Sequence, residues 1–188
     1  MQGAFGRVEV VAGPMFAGKT EELLRRVRRA VIGGREVVIF THALDTRQGS
    51  GVVASHAGLE HPSRVVRSAA EILEHVPAGT DLVAIDEAHF FGPELVPVVE
   101  ELASRGMVVV VAGLDVTFAG RPFEPLPSLM AVAERVDKLT AICTVCGEEA
   151  VFHQSIAPVE AGDTALIAEH VGGSEKYEAR CRRHFVGS

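Results

Sequence analysis

Tryptophan and asparagine are absent from this chain of 188 residues, and tyrosine occurs once. With aromatics at 5%, there are few flat rings to stack along a single nucleic-acid strand. Basic residues are also in the minority. Lys and Arg number 18 against 25 Asp and Glu, for a net charge of −7 and a pI near 5.6. A face that neutralises duplex phosphates is therefore not expected, and no nucleic-acid partner is predicted. No apolar run reaches the length of a membrane span, and the start lacks a charged region followed by an apolar one, so neither membrane insertion nor a signal peptide is expected. The three cysteines are odd in number and clustered, which argues against disulfides and for a metal site in a reducing, cytoplasmic compartment. The lack of thermolabile Asn beside Arg-rich helices points towards a thermophile.

What the chain does have is apolar mass, 47% of its residues, enough for one domain of ordinary size with a small appendage. RVEVVAG at 7–13 is a short Val-rich run ending in Gly and predicts a buried strand. Residues 19–34 predict a helix, with Leu23, Leu24, Val27, Ala30 and Val31 at helical spacing and Gly33-Gly34 as the stop. EVVIFTHA (36–43), DLVAID (81–86) and MVVVVAG (107–113) predict three more strands. Between and after them, helices are predicted at 68–76, where Ser68 and Glu71 form a capping-box pattern, at 93–106 despite Pro97, and at 128–139. Strands apolar throughout, alternating with helices, indicate an α/β fold: a parallel sheet covered on both faces. Beyond about Thr140 the long apolar runs stop and Cys, Gly and His appear, placing a boundary between residues 1–140 and a small domain at 141–188.

GPMFAGKT, residues 13–20, matches the phosphate-loop pattern with a predicted strand before it and a predicted helix after it. Gly13 and Gly18 let the backbone turn so that the loop Pro14-Met15-Phe16-Ala17 can face a phosphate with its N–H groups, Pro14 contributing none. Lys19 supplies a charge for the outer phosphates, and the Thr20 hydroxyl can hold Mg²⁺. Arg25, Arg26, Arg28 and Arg29 follow closely. Glu21 and Glu22 stand four residues ahead of Arg25 and Arg26, so i,i+4 pairs on a solvated face are preferred to a polyphosphate patch.

LVAIDEAHFF, residues 82–91, contains the helicase-like letters DEAH. Asp86 ends an apolar strand downstream of a phosphate loop, the place for a Mg²⁺-side carboxylate acting directly or through water. Glu87 would polarise water in an ATPase or take a proton from an acceptor hydroxyl in a small-molecule kinase; the bland alternative is a capping or pairing role. His89 is read as a hydrogen-bonding neighbour. Phe90 and Phe91 suit an apolar slot for a flat ligand. Near the other end, Cys143-x-x-Cys146 and Cys181-x-x-His184 are separated by a gap of 34 residues. This Cys₃His set suits a closed, structural Zn²⁺ that would staple a segment too poor in apolar residues to fold alone.

The phosphate loop, DEAHFF, GLDVTFAGRPF, CTVC and VGGSEKYEARCRRH together resemble the zinc-containing, tetrameric, cytosolic (type II) thymidine kinase family, over about residues 8–185. The resemblance implies a RecA-like P-loop sheet with helices on both faces, plus a zinc-stapled C-terminal domain whose long loop closes over a nucleoside. It implies transfer of the ATP γ-phosphate to the 5′-hydroxyl of thymidine, and of deoxyuridine, in deoxynucleotide salvage. By the family's pattern Glu87 is the general base, and Asp45 and Arg47 take the Asp-x-Arg positions near Mg²⁺ and the transferring phosphate. The thymine slot would be walled by Met15, Phe90, Leu114, Phe118 and Phe123. Backbone groups around Val171, Gly172 and Gly173 would close it, with Tyr177 near the sugar and base. Cys143, Cys146, Cys181 and His184 are the implied zinc ligands, and dTTP feedback and a homotetramer are implied as well. The chain departs from the pattern at Ala17, where Ser is usual, at His89, where Gln is usual, and at His153-Gln154-Ser155 in place of Thr-x-Arg; residues 156–169 are also longer and more apolar than usual.

Two other readings compete. A helicase fragment needs two motor lobes and a basic, aromatic strand groove, neither of which the sequence displays. A nucleotide-binding regulator has no use for a base beside Asp86.

Overall fold

The computed structural model describes residues 5–45, 52–54, 60–156 and 176–187. Its centre is a six-stranded sheet built from β1 (Arg7–Gly13), β2 (Val37–His42), β5 (Arg64–Val66), β6 (Leu82–Ile85), β7 (Val108–Leu114) and β8 (Arg135–Lys138), in the order β5-β2-β6-β7-β1-β8. Every pairing in it is parallel. The antiparallel pair β3 (Val52–Ala54) and β4 (Glu60–Pro62) stands apart from it. Helices α1 (Lys19–Ile32), α2 (Ala69–His75), α3 (Leu95–Ser104) and α4 (Leu126–Val132) link and cover the strands.

Side chains alternate across the pleat, so each strand feeds two apolar layers. Val8, Val10, Ala12, Phe40, Ile85, Val109 and Val111 pack with Ile72, Leu95, Leu102, Leu126 and Leu129 on the side of α2, α3 and α4. Val11, Ile39, Ala84, Val110 and Ala112 pack with Leu23, Leu24 and Val27 of α1 on the other. Both faces are covered, which is why the strands carry no polar alternation.

Glu9 breaks that rule, as do Thr41 and His42 of β2, and it organises a corner of the fold. Glu9 points to the α1 face of β1 and is buried. Arg26, buried on α1, meets it at 2.8 Å and also holds Glu22 at 2.9 Å and Asp137 of β8 at 2.5 Å. Arg7 adds a second partner for Glu9 at 2.7 Å. Arg26 is thus no part of a solvated face, as its spacing from Glu22 suggested, and Glu22 rather than Glu21 also takes Arg25, at 2.6 Å. Val31, expected on the apolar face, is half exposed instead.

Two further expectations change. The helix predicted over 128–139 ends at Val132, and Arg135–Lys138 pair with the free edge of β1 as β8. Glu134, at the junction, accepts the Val8 amide at 2.6 Å. Pairing with that edge outweighs a helical pattern that Val132 and Val136 happen to share. Pro97 is no obstacle, because α3 begins at Leu95 and Pro97 lies in its first turn, where amides have no partner within the helix. Ser68 caps α2 as expected, accepting the Glu71 amide at 3.4 Å, while the Glu71 carboxylate reaches the Arg67 amide at 3.0 Å.

Beyond the sheet come the antiparallel pairs β9 (Ala141–Ile142) with β10 (Glu149–Ala150), and β11 (Phe152–Ser155) with β12 (Tyr177–Arg180). Their small core of Ala141, Cys143, Ala150, Ala179 and Cys181 packs against Ala17 of the 13–20 loop. That contact sets the C-terminal segment directly beside the end of the sheet where β1, β6 and β7 finish.

Candidate functional site

The loop leaving β1 turns tightly at both ends. A Cβ on Gly13 would lie 2.6 Å from the Leu139 carbonyl oxygen, so only glycine lets the chain pass there. Gly18 adopts φ 80° as the cap of α1, a conformation that costs other residues about 1–2 kcal/mol. Between them Phe16 also takes a left-handed φ of 66°. Lys19 donates to the Pro14 carbonyl at 2.7 Å, closing the loop on itself. Thr20, in the first turn of α1, donates to Asp86 Oδ2 at 2.9 Å. The loop, the start of α1 and the end of β6 therefore meet at one point.

Asp86 is fully buried there. Burial, the neighbouring Glu87 charge and the more distant Asp45 raise its pKa to about 7, against the Thr20 hydroxyl and the Glu87 amide, which favour its ionised form. Glu87 is buried too and adopts a left-handed backbone, φ 50° and ψ 44°, with its amide donating to Asp86 Oδ1 at 2.9 Å. This turn sends the two adjacent carboxylates in different directions from one strand end. Arg47 and Val171, Gly172 and Gly173 lie outside the described residues, as do residues 157–170 of the long stretch.

The side chains expected to wall a slot come together beside this turn. Met15, Leu114 and Tyr177 form one buried cluster, against which Phe118 and Phe123 pack. Phe90 joins it through His89, whose ring centroid lies 4.5 Å from that of Phe90 and 5.2 Å from that of Phe123. Phe91, by contrast, turns into the main core. Burial raises the Tyr177 hydroxyl above its ordinary pKa.

Two histidines line the junction between loop, carboxylates and slot. His89 Nδ1 accepts the Leu114 amide at 3.2 Å, and its Nε2 lies 3.4 Å from Glu87 Oε2. His153, on β11, was given no role by the sequence. It is buried, accepts the Met15 amide on Nδ1 at 3.4 Å and stands edge-on to Tyr177. Burial first, then the Lys19 charge and the neighbouring His89 imidazole, lowers its pKa to about 3, so the ring is neutral. The only signal for it in the sequence is the break in the Thr-x-Arg pattern; its contact with the loop exists only in the tertiary fold.

The donor atoms of Cys143, Cys146, Cys181 and His184 all lie within 4.8 Å of one another. Cys146 and Cys181 sulfurs are 3.8 Å apart, and His184 Nδ1 is 3.3 Å from Cys181 Sγ and 3.7 Å from Cys143 Sγ. Four ligands about 2.0–2.3 Å from a central Zn²⁺ in a tetrahedron would be separated by roughly 3.3–3.8 Å. The set fits zinc in both chemistry and spacing. Although burial raises the Cys143 thiol, backbone amides of Cys181, Val145 and Cys146 turned towards the sulfur bring its pKa down to about 5.

The family model described as thymidine kinase matches residues 6–185. The thymidine kinase of Halobacterium salinarum is 51% identical over 184 residues, covering 96% of this chain and 94% of that protein. That of Haloquadratum walsbyi is 45% identical, covering 94% and 93%.

Proposed function

This chain belongs to the thymidine kinase family, and on that premise we propose that it transfers the γ-phosphoryl group of ATP to the 5′-hydroxyl of thymidine, and of deoxyuridine. One observation carries the reading: the Asp86-Glu87 strand end lies between a phosphate loop, which it meets through Thr20, and an apolar slot, which it meets through His89. A base between a phosphate donor and a flat acceptor is the geometry that phosphoryl transfer to a nucleoside requires.

In this mechanism the backbone amides of Phe16, Ala17 and Gly18 and the Lys19 ammonium hold the β- and γ-phosphates, while Pro14, which has no N–H, and Met15, whose N–H is on His153 Nδ1, shape the loop. Thr20 and Asp86 would hold Mg²⁺, which when bound neutralises charge on those phosphates. Asp45 and Arg47 extend the phosphate side. Met15, Phe90, Leu114, Phe118, Phe123 and Tyr177 take the base and sugar, with backbone at 171–173 closing the slot. Glu87 accepts the 5′-hydroxyl proton, the freed oxygen bonds to the γ-phosphorus, and the bond to the β-phosphate oxygen breaks to release ADP. Zn²⁺ held by Cys143, Cys146, Cys181 and His184 would lock the 141–188 domain against the 1–140 domain, steadying β11 and β12. Feedback inhibition by dTTP, a homotetramer and residence in the cytoplasm are supported by the family resemblance. Among the described residues, no helix is long and apolar enough to cross a membrane.

The test is to incubate the protein with ATP, Mg²⁺ and each nucleoside in turn and identify the product. Thymidine 5′-monophosphate with stoichiometric ADP is expected. ATP hydrolysis that ignores nucleosides and rises with DNA would replace this reading with a strand-translocating ATPase, and nucleotide binding without turnover with a regulator.

A further inference from the structure

His89 stands where three parts of the site meet, and the protein atoms around it define its protonation. The Leu114 amide can only donate, so His89 Nδ1, 3.2 Å away, must offer its lone pair. In a neutral ring the proton then sits on Nε2, which lies 3.4 Å from Glu87 Oε2, an electrostatic contact not aligned as a hydrogen bond. The ring is confined: its side chain is 0% exposed and packs against Phe90 and Phe123, at 4.5 and 5.2 Å. Glu87 needs such a partner. It follows Asp86 directly, its backbone is left-handed, and a base that wanders loses the alignment on which proton transfer depends.

Resting on the reading of Glu87 as base, we infer that His89 is a positioning residue: its Nε2–H, 3.4 Å from Glu87 Oε2 and not yet aligned as a hydrogen bond, closes on the carboxylate by a small side-chain rotation and then fixes its rotamer, and the ring transmits the packing of the nucleoside slot to the base. Leu114, whose amide orients the imidazole, and Phe90 and Phe123, which clamp it, are the same residues that wall the slot. A nucleoside pressing on those walls therefore bears on the group that aims the carboxylate. The dependence should fall on turnover more than on substrate affinity, because the contact is with the base and not with the substrate.

Amide side chains separate the two ends of the imidazole. In His89→Gln, the amide N–H can occupy the place of Nε2–H and still reach Glu87. In His89→Asn, the shorter side chain can accept the Leu114 amide but falls short of the carboxylate. Steady-state kinetics with thymidine and ATP should show kcat of His89→Asn reduced roughly 10- to 100-fold with both KM values within about threefold. His89→Gln should stay within about threefold of wild type. His89→Phe, which keeps the stacked ring and lacks the donor, should repeat the Asn result and provides a second variant if Asn fails to fold.

In a Glu87→Gln background none of these substitutions should lower the residual rate further, since His89 acts through Glu87. Wild-type kcat in both His89→Asn and His89→Phe, equal losses in the Gln and Asn variants, or full additivity with Glu87→Gln would overturn the assignment. A Glu87→Gln enzyme that itself retains full turnover would instead remove the base, a separate outcome that discards both readings.

Discussion

Asp86 carries the clearest pH signature of any single residue. Its carboxyl is ordinarily ionised above about 4, but burial and the Glu87 charge lift it to about 7 in the folded chain. A raised folded pKa means that this group's contribution to stability is complete at acid pH and is lost as pH climbs from about 4 through 7. Asp86→Asn cannot ionise. In the absence of Mg²⁺ it should therefore match wild type near pH 4 and exceed it at pH 8 by about 2–4 kcal/mol, as read from denaturant unfolding at the two values. A difference that grows towards acid pH would mean that Asp86 is stabilised as the anion. Such strain at the carboxylate proposed to hold Mg²⁺ is a common exchange of stability for function. At this scale the charged pair was legible in LVAIDEAHFF, because strand-end carboxylates after a phosphate loop are a chemical pattern of the sequence itself. The hydrogen-bonding roles of His89 and His153 were not, because backbone amides from Leu114 and Met15, distant in the chain, select the ring nitrogen that accepts.

Arg26 shows what an element needs beyond its own periodicity. On the helical wheel it is one of four arginines after a Glu pair; in the fold it joins α1 to β1 and to the edge strand β8. Arg26→Met should cost about 3 kcal/mol, since it leaves Glu9 buried with its charge largely uncompensated. Arg25→Ala, on the exposed side of Glu22, should cost less than about 1 kcal/mol. Equal effects in thermal melts would show that the Glu9 site is solvated. The four long strands and the first three helices were readable because their apolar spacing agrees with their final packing. The region 128–139 was misread because its residues satisfy a helical spacing while the unpaired edge of β1 offers a better use for Arg135–Lys138. The short pairs β9–β10 and β11–β12 have two to four residues per strand, too few to display a period of two.

For the whole molecule, the four-ligand cluster is the joint between sheet and slot. β12 carries Tyr177 at one end and runs into Cys181 at the other, and β11 carries His153 against the phosphate loop. Purified protein should contain about one zinc per chain by elemental analysis. Removing it with a chelator, or by Cys146→Ser, should weaken thymidine binding roughly tenfold or more while the sheet keeps most of its far-UV signal. Unchanged thymidine affinity in the zinc-free protein would make the cluster independent of the slot.

The central claim is that a phosphate loop and a nucleoside slot meet at a single base, Glu87. Its most direct test is the rate of thymidine 5′-monophosphate formation by Glu87→Gln, measured alongside the affinity of the same protein for ATP. The account predicts a loss of roughly 10²- to 10⁴-fold in kcat with ATP affinity close to that of wild type. A variant that turns over at the wild-type rate, or one that loses ATP binding in proportion to its activity, would contradict it.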